Sequence, residues 1–485
     1  MKSIWMKDKK KKYDKLNQNI SCDVLIVGGG LSGLLSAYQL KEHAERLVLI
    51  ESDEIASGAT GRNTGKVTFQ HGLELQKIFH YHGEDKTRLY YEENEKAIHA
   101  LYHIMEKEQI ECDWQVKTAL VGCKSEEYEK NVDKEIEVYN TLQIPYERIE
   151  NETCHKGIQV HQQASFDPYA FCLQLAEKME IEIYEHTPMI SIQNHEVSTG
   201  AYKIKYKTCI LATQVMPFQF KPFYALMHPK QTFLAALSPS EHSNEMILLE
   251  DEITKTRNDT HDFMLVGGYD HSTMEEATPL WQKFRRDLVL EYPQHQILEC
   301  WSSQDYECVD GLPLVDSNDD FIFITGFNKW GNTNAMVSST IVKDIYEDKK
   351  TERRALYSIH RASLYLNVNI FGENYEVMKS LVKSKMKADH SNLPEDQKAI
   401  QFEINRHPYG IYRQGDTFYI VDALCPHLGC TLRFNEVEKC WDCPCHGSRF
   451  SIEGKIIKGP ALEPLHFGKC TVDEMKWKRN KNMLK

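Results

Sequence analysis

Residues 23–33 read DVLIVGGGLSG, and this stretch limits the fold more sharply than any other. Asp23–Val27 is a short apolar run of the kind a buried parallel strand uses, since both faces of such a strand are covered. Gly28, Gly30 and Gly33 then give the spacing GxGxxG, with Leu31 and Ser32 between the last two, and Leu34–Leu40 continues with helical character. A second apolar run, Leu47–Ile50, ends in Glu51, 18 residues after Gly33. Strand, glycine turn, helix, strand and acid form the complete context of a dinucleotide-binding βαβ unit. The glycines let the backbone turn tightly and approach a pyrophosphate at the helix N-terminus, and the acid takes ribose hydroxyls. The unit alone does not choose between NAD and FAD.

The chain has 485 residues, enough for two or three domains with full cores. Further strands of the same buried type come late, at Lys207–Thr213 (KTCILAT) and Phe321–Gly326 (FIFITG). Between them, residues 91–150 are charged and helix-prone. Residues 223–299 hold alternating strands (TFLAALSP, FMLVGGYD) and an amphipathic helix near Pro279–Tyr292. This interleaving predicts an α/β nucleotide-binding domain in discontinuous pieces (about 21–90, 152–222 and 300–350), with an inserted α+β substrate domain (about 91–151 and 223–299). Residues 1–20 read as an N-terminal tail and 371–391 as a linker within a polar, Lys-rich stretch. From 392 to 485, short strands separated by turn signals at Gly410, Gly415–Asp416, Gly429, Gly447 and Gly454 predict a small all-β domain.

Net charge is −13, which argues against nucleic acid as a general partner. No run approaches the roughly 18 apolar residues a membrane helix needs, and the N-terminus lacks a secretory h-region. The Lys9–Lys12 run reads as a solvated segment. The expectation is a cytoplasmic protein.

Eight of the 14 cysteines (Cys22, Cys112, Cys123, Cys154, Cys172, Cys209, Cys300, Cys308) scatter without ligand spacing, as free buried thiols in a reducing compartment do. The other six lie between Cys425 and Cys470. Residues 425–430 read CPHLGC and residues 443–448 read CPCHGS, so each box supplies one Cys and one His, and 15 residues separate His427 from Cys443. Two thiolates and two imidazoles suit zinc. They also suit a Rieske-type [2Fe–2S] cluster, in which imidazoles on one iron raise the reduction potential. The order C-x-H then C-x-x-H, with a glycine after each box, favours the cluster, held by Cys425, His427, Cys443 and His446.

The two boxes resemble those of Rieske proteins in quinol-oxidising cytochrome complexes. The resemblance implies a disulfide between Cys430 and Cys445 that clamps the two loops. It also implies that Ser448 donates to a cluster sulfide and that Pro460, in GPA, belongs to a third covering loop. Phe450 stands where the high-potential proteins have a tyrosine, which implies a lower potential. Cys440 and Cys470 lie outside the ligand pattern and read as structural.

Residues 57–68, SGATGRNTGKVT, resemble the loop after the second strand in FAD-dependent oxidoreductases of the D-amino-acid oxidase class, which includes glycine and sarcosine oxidases. Further matches keep the family order: Phe166-Asp167-Pro168 before a helix, Ile183–Ile190 with Met189 on the adenine side, Cys209–Thr213, DGLPL at 310–314, and TGFNKWGNT at 325–333. The resemblance covers roughly residues 20–350 and implies FAD. It places the cofactor against Gly28, Gly30, Leu31, Ser32, Gly33, Glu51 and Ser52 of the βαβ unit. In the following loop it implies Gly58, Ala59, Thr60, Arg62, Asn63, Thr64, Gly65 and Lys66. Later in the chain it implies Met189, Ala212 and Thr213, then Gly326, Asn328, Trp330, Gly331 and Asn332. Over most of its length the chain looks like a bacterial group that fuses such a module to a C-terminal Rieske domain.

Departures restrict the substrate. The class places an arginine near the flavin for a substrate carboxylate, whereas Trp301–Asp305 reads WSSQD; Arg257 is a candidate substitute. Cys308 lacks the spacing of the cysteine that binds flavin covalently in sarcosine oxidases, so non-covalent FAD is expected. Gln304, Asp305 and Lys329 are candidates for the polar face of the substrate pocket, and Lys66 and His71 for groups beside the flavin.

The expected function is an FAD-dependent oxidoreductase that oxidises a small substrate, such as an amine or amino acid. Electrons would leave one at a time through the Rieske cluster to a protein or quinone acceptor. Two alternatives stay open: a reductase feeding the cluster to reduce the flavin, and a Rieske domain acting as a redox-sensing or docking module.

Overall fold

The computed structural model describes residues 2–6, 11–215, 226–239, 243–273, 275–364, 393–404 and 407–471. The expected linker 371–391 lies outside the described residues. So do Lys9 and Lys10 of the lysine run, residues 216–225, and residues 392 and 472–485 of the C-terminal domain. The chain divides into two units. One comprises Met1–Met216, Gln231–Asp270 and Leu290–Leu364; the other comprises Pro217–Lys230, His271–Val289 and Tyr365–Lys485.

In the first unit, β1 (Ile20–Val27), α1 (Leu31–Leu40) and β2 (Leu47–Ile50) form the expected βαβ unit. β1 is central and runs parallel to β2 on one side and to the Lys203–Gln214 strand on the other. Glu182–Tyr184 extends the sheet beyond β2. Ile322–Thr325 extends it in parallel on the far side, and Leu314–Ser317 closes that edge antiparallel. Val24, Leu25 and Ile26 are wholly buried, as are Leu34, Leu35, Ala37 and Leu40 of α1, because the sheet is covered on its faces. Two glycines make this packing possible. A Cβ on Gly33 would lie 1.9 Å from the Gly28 carbonyl oxygen, and one on Gly28 would lie 2.4 Å from that of Ala212.

A second sheet orders its strands Ile297–Cys308, Met227–Leu237, Met264–Ser272, Lys255–Asp259, Glu245–Leu249, Gln115–Cys123, Lys156–Ser165 and Lys66–Val67. Its composition moves the expected boundaries. Lys156–Ser165 was placed with the nucleotide-binding half, but it pairs antiparallel with Gln115–Cys123. Ile297–Cys308 likewise belongs to this sheet, beside Met227–Leu237. Apolar runs locate strands, but only cross-strand hydrogen bonding decides which sheet they join. The adenine-side strand is shorter than Ile183–Ile190, ending at Tyr184. The N-terminal tail is packed against this unit: Ser3, Trp5 and Leu16 are buried.

The second unit contains two antiparallel sheets. The first comprises Ala399–Ile404, His407–Gln414, Thr417–Asp422 and Phe467–Thr471. The second comprises Arg433–Asn435, Cys440–Asp442, Arg449–Ser451 and Ile456–Lys458. Trp441, Phe450, Leu432 and Val421 pack with Cys425, Cys430, Cys443 and Cys445 in one core. The Ala277–Glu291 helix, expected near Pro279–Tyr292, falls mostly in this unit by its contacts. Just before it, the Thr273 hydroxyl donates to the Pro444 carbonyl across 3.2 Å.

Candidate functional site

The turn between β1 and α1 is tied to the end of β2. Gly28 N–H donates to Ile50 O at 2.8 Å, and Gly29 N–H donates to Glu51 Oε2 at 2.7 Å. Glu51 Oε1 accepts from the Ser52 hydroxyl and from Asp53 N–H, each at 2.9 Å. Gly30, the N-cap residue of α1, offers no side-chain acceptor and the first turn holds no acid, so the helix dipole favours an anion there. Thr60 Oγ1 accepts from Leu31 N–H at 3.0 Å and binds the 57–65 loop to the same turn. Gly30 and Gly58 leave space that side chains would fill: a Cβ on Gly30 would meet only Thr60 Oγ1, and one on Gly58 nothing within 4 Å. A helix start with a glycine N-cap and no acid, a glycine approach and an acid at the second strand's end fit a dinucleotide.

Of the other expected flavin segments, the start of the Gly331–Tyr346 helix bonds directly to this loop. Asn63 Nδ2 donates to Thr60 O and to Asn332 Oδ1, each at 3.1 Å, and Asn63 Oδ1 accepts from Gly65 N–H at 2.7 Å. Trp301 Nε1 donates to Arg62 O at 2.9 Å, and Asn258 Nδ2 to Thr64 O at 2.8 Å. The Gly331–Tyr346 helix begins here. Asn332 Nδ2 donates to Lys66 O at 2.8 Å, following Trp330 and Gly331. Gly326 and Asn328 both take positive φ, and Asn328 Oδ1 accepts from Cys308 N–H at 2.5 Å. Thr213 Oγ1 donates to Val215 O, Ala212 lies against Gly28, and Met189 is buried. Ala59 and Thr60 lead into a 3-10 turn, Thr60–Arg62.

Lys66 and His71 are both fully enclosed. Lys66 Nζ donates to Ile247 O at 2.7 Å and to Thr256 Oγ1 at 2.6 Å; burial lowers its pKa to about 7 against a partial counter-effect from Glu250. His71 bonds Tyr90 Oη at 2.6 Å and Thr333 Oγ1 at 2.9 Å, and stacks on Trp330 with centroids 4.9 Å apart. Burial drops its pKa to about 3, so the ring is neutral.

The three catalytic candidates hold distinct positions. Asp305 is a brace: Oδ1 accepts from Gln214 Nε2 at 2.9 Å and Oδ2 from Lys329 N–H at 2.8 Å. Gln304 is buried between Gln231 and the Tyr306 hydroxyl. Lys329 Nζ donates to Asp270 Oδ2 at 2.6 Å and lies 3.4 Å from Glu307. Burial alone would lower its pKa, but Asp270, Glu307 and Glu250 hold it well above the usual value, so it is a cation among carboxylates. The Glu250 carboxyl is itself raised to about 7 by burial. Arg257 is bound by Asp259 through Nε at 2.8 Å and Nη2 at 2.6 Å. The sequence reading missed Asp270, Glu250 and Glu307; acids spread over three strands and loops carry no spacing signal.

In the second unit, both Cys/His boxes form closed loops. Cys425 N–H donates to Cys430 O at 2.8 Å, and Cys443 N–H to Ser448 O at 2.7 Å. Cys430 and Cys445 are joined in a disulfide, as the resemblance implied. The sulfurs of Cys430, Cys443 and Cys445 lie within 4.8 Å of one another, but two of them are bonded together, which leaves Cys443 as the thiolate donor of that group. Cys425 is hydrogen-bonded to Cys443, which pulls its thiol below the ordinary range. The rings of His427 and His446 stand 5.0 Å apart at right angles. Ser448 Oγ accepts from Ala461 N–H at 3.0 Å, so the segment after Pro460 packs on the second box. Two thiols in contact and two imidazoles close together, on loops clamped to each other, match the donor set of a Rieske cluster. Phe450 is fully buried beneath.

A dinucleotide cradle with a separate substrate sheet, and a two-loop Cys/His centre, define a flavin-dependent oxidoreductase carrying an iron–sulfur domain. The chain belongs to the family described as FAD dependent oxidoreductase, whose model matches residues 23–345, and a Rieske [2Fe-2S] domain model matches residues 384–471. Its cofactors are accordingly FAD and a [2Fe–2S] cluster. YhfW of Bacillus subtilis (strain 168), whose name places it provisionally among Rieske 2Fe-2S iron-sulfur proteins, is 29% identical over 482 residues, covering 93% of this chain and 94% of that protein. Gamma-glutamylputrescine oxidoreductase of Escherichia coli (strain K12) is 33% identical over 102 residues, which is 21% of this chain and 24% of that protein. Among solved structures, glycine oxidase from Geobacillus kaustophilus shares the fold with a TM-score of 0.58 at 16% identity, covering 68% of this chain and 96% of that one. Among the described residues, no helix is long and apolar enough to cross a membrane.

Proposed function

We propose that the chain is an FAD-dependent dehydrogenase of a small amine that delivers electrons singly, by way of its Rieske domain, to an external protein or quinone acceptor. The observation that carries this reading is the presence of both redox modules in one chain. A flavin supplies two-electron chemistry when bound and a [2Fe–2S] cluster one-electron chemistry, so their fusion suits a step that divides an electron pair.

The protein's own groups favour an amine over an amino acid. Arg257, the candidate carboxylate anchor, is occupied by Asp259. WSSQD offers no arginine, and Lys329 stands among Asp270, Glu250 and Glu307, an acidic setting that suits a cationic substrate. In this reading Asp305 and Gln304 orient the segment that carries Lys329. Cys308, whose thiol burial raises strongly and which donates to Gly326 O, is unsuited to a covalent flavin bond.

Anaerobic titration with a panel of amines and amino acids tests the reading, with flavin absorbance and the cluster's paramagnetic signal followed together. Bleaching by an amine, with the cluster reduced in step, is expected. Bleaching only by amino acids would overturn the substrate class. Rapid peroxide production that leaves the cluster oxidised would overturn the electron route.

A further inference from the structure

The residues before β1 lie on the segments assigned to the flavin. Ser3 Oγ donates to the Gly61 carbonyl. Trp5 Nε1 donates to Asn63 O at 2.7 Å, and the Trp5 ring meets Phe263 edge-on at 5.1 Å. Met6 and Trp5 fill the space above two loop glycines. A Cβ on Gly61 would come within 2.9 Å of Met6 Cε, and one on Gly65 within 3.2 Å of the Trp5 ring.

A second set of bonds follows along the same stretch. Tyr13 N–H donates to Glu185 Oε2 at 3.2 Å, and Glu185 Oε1 accepts from Ile55 N–H at 2.6 Å. Leu16 N–H donates to Thr187 Oγ1 at 3.1 Å, while Thr187 N–H donates to Glu51 O at 2.8 Å. Residues 3–6 thus grip the 57–65 loop, and residues 13–16 grip the 185–187 segment, which in turn holds Glu51 and Ile55.

We propose that residues 3–6 and 13–16 are part of the flavin site: a strap whose Ser3 and Trp5 position the 57–65 loop and whose Tyr13 and Leu16 backbone positions the 185–187 segment, so that it governs how long FAD stays bound. The peptide planes that follow Gly61 and Asn63 are rigid units, and fixing their carbonyls on the strap fixes the loop's course between them. In this proposal the strap acts through the loop. It removes loop freedom that FAD would otherwise have to quench on binding. The inference rests on the assignment of the 57–66 loop to FAD.

The test uses full-length, FAD-loaded protein. The double variant Ser3→Ala/Trp5→Phe deletes both side-chain donors and keeps an aromatic ring over Gly65. A chain lacking residues 2–16 removes the whole strap. FAD release after dilution is followed by the fluorescence of freed flavin, and the cluster signal per chain reports folding of the other unit. Loss of both donors is expected to make release at least about tenfold faster, with the cluster signal unchanged. Asn63→Ala serves as the control on the loop itself. Release unchanged in the strap variants but faster in Asn63→Ala would overturn the strap and keep the loop assignment. Release unchanged in all of them would overturn the loop assignment and the strap with it. Should the truncated chain lose its cluster signal, the double variant decides.

Discussion

Arg449 and Asp442 close the stem of the second cluster loop with a buried ion pair, Nε to Oδ1 at 2.9 Å. Asp442 immediately precedes Cys443, an expected cluster ligand, and Arg449 immediately follows Ser448. Glu438 also pairs with Arg449, and the Cys440 sulfur lies 3.0 Å from the same guanidinium and 3.1 Å from Asp442. Removing one member of a buried pair strands the others in low dielectric. Arg449→Ala is expected to cost about 3–5 kcal/mol of the domain's stability and to lower iron content per chain, as denaturant melts and iron assay will check.

The Cys430–Cys445 disulfide spans a sequence separation of 15 and joins the two ligand loops. Chain-entropy arguments give about 3 kcal/mol for a loop of about this size. Cys430→Ala/Cys445→Ala should therefore lower the unfolding midpoint of the iron–sulfur domain and speed loss of the cluster signal in the presence of a chelator. The flavin absorbance of the same sample should persist.

Gly33 is required for a reason other than flexibility. Its added Cβ would stand 1.9 Å from the Gly28 carbonyl oxygen, a backbone atom that cannot swing aside. Gly33→Ala must push α1 off β1 and disturb the turn beneath the expected pyrophosphate. The protein should be isolated with less than about a tenth of the usual FAD, a change of at least about 1.4 kcal/mol in affinity, measured by absorbance per chain.

Lys66 makes stability depend on pH in a defined direction. Its pKa is about 7 in the fold, lowered by burial, against 10.5 for an ordinary lysine. Between these values the unfolded chain binds more protons than the folded one, so stability rises with pH across the window and the charge is most costly below pH 7. The stability of the native protein relative to Lys66→Met should climb by up to about 1.4 kcal/mol per pH unit above pH 7. A flat difference between pH 7 and pH 9 in urea melts would show that Lys66 is not buried as described.

Much of this was legible before any coordinates, because local chemistry carried it. GxGxxG with Glu51 specifies a turn whose constraints lie within 30 residues, and Gly28, Gly33 and Glu51 sit as that turn requires. The Cys/His boxes are equally local. Sheet membership was not legible, since Lys156–Ser165 is amphipathic in a way that suits either sheet, and its pairing with Gln115–Cys123 is settled over a long separation. The carboxylates around Lys329 are likewise assembled from distant segments. The burial of Ser3 and Trp5 was not legible because they sit in a lysine-rich stretch whose charge suggests solvent, although an Ile-Trp pair there is a hint of burial. Arg449 and Asp442, one on each side of the second box, could have been read as a pair from their placement alone.

The sharpest test of the proposed electron route separates the two modules without dividing the chain. Cys443 is a wholly buried thiol in the core beneath the cluster loops, and Ser is nearly its shape but a poor ligand for an iron–sulfur cluster. In Cys443→Ser the cluster should be absent, while the first unit, with the sheet around β1 and the 57–66 loop, keeps FAD. If electrons leave singly through the Rieske domain, an amine will still bleach the flavin at a rate within about threefold of the native protein. Turnover with a one-electron acceptor protein should then fall by at least about a hundredfold, the equivalent of about 2.7 kcal/mol of transition-state stabilisation. Retention of that turnover would assign the Rieske domain to sensing or docking, because the acceptor would then be drawing electrons from the flavin directly.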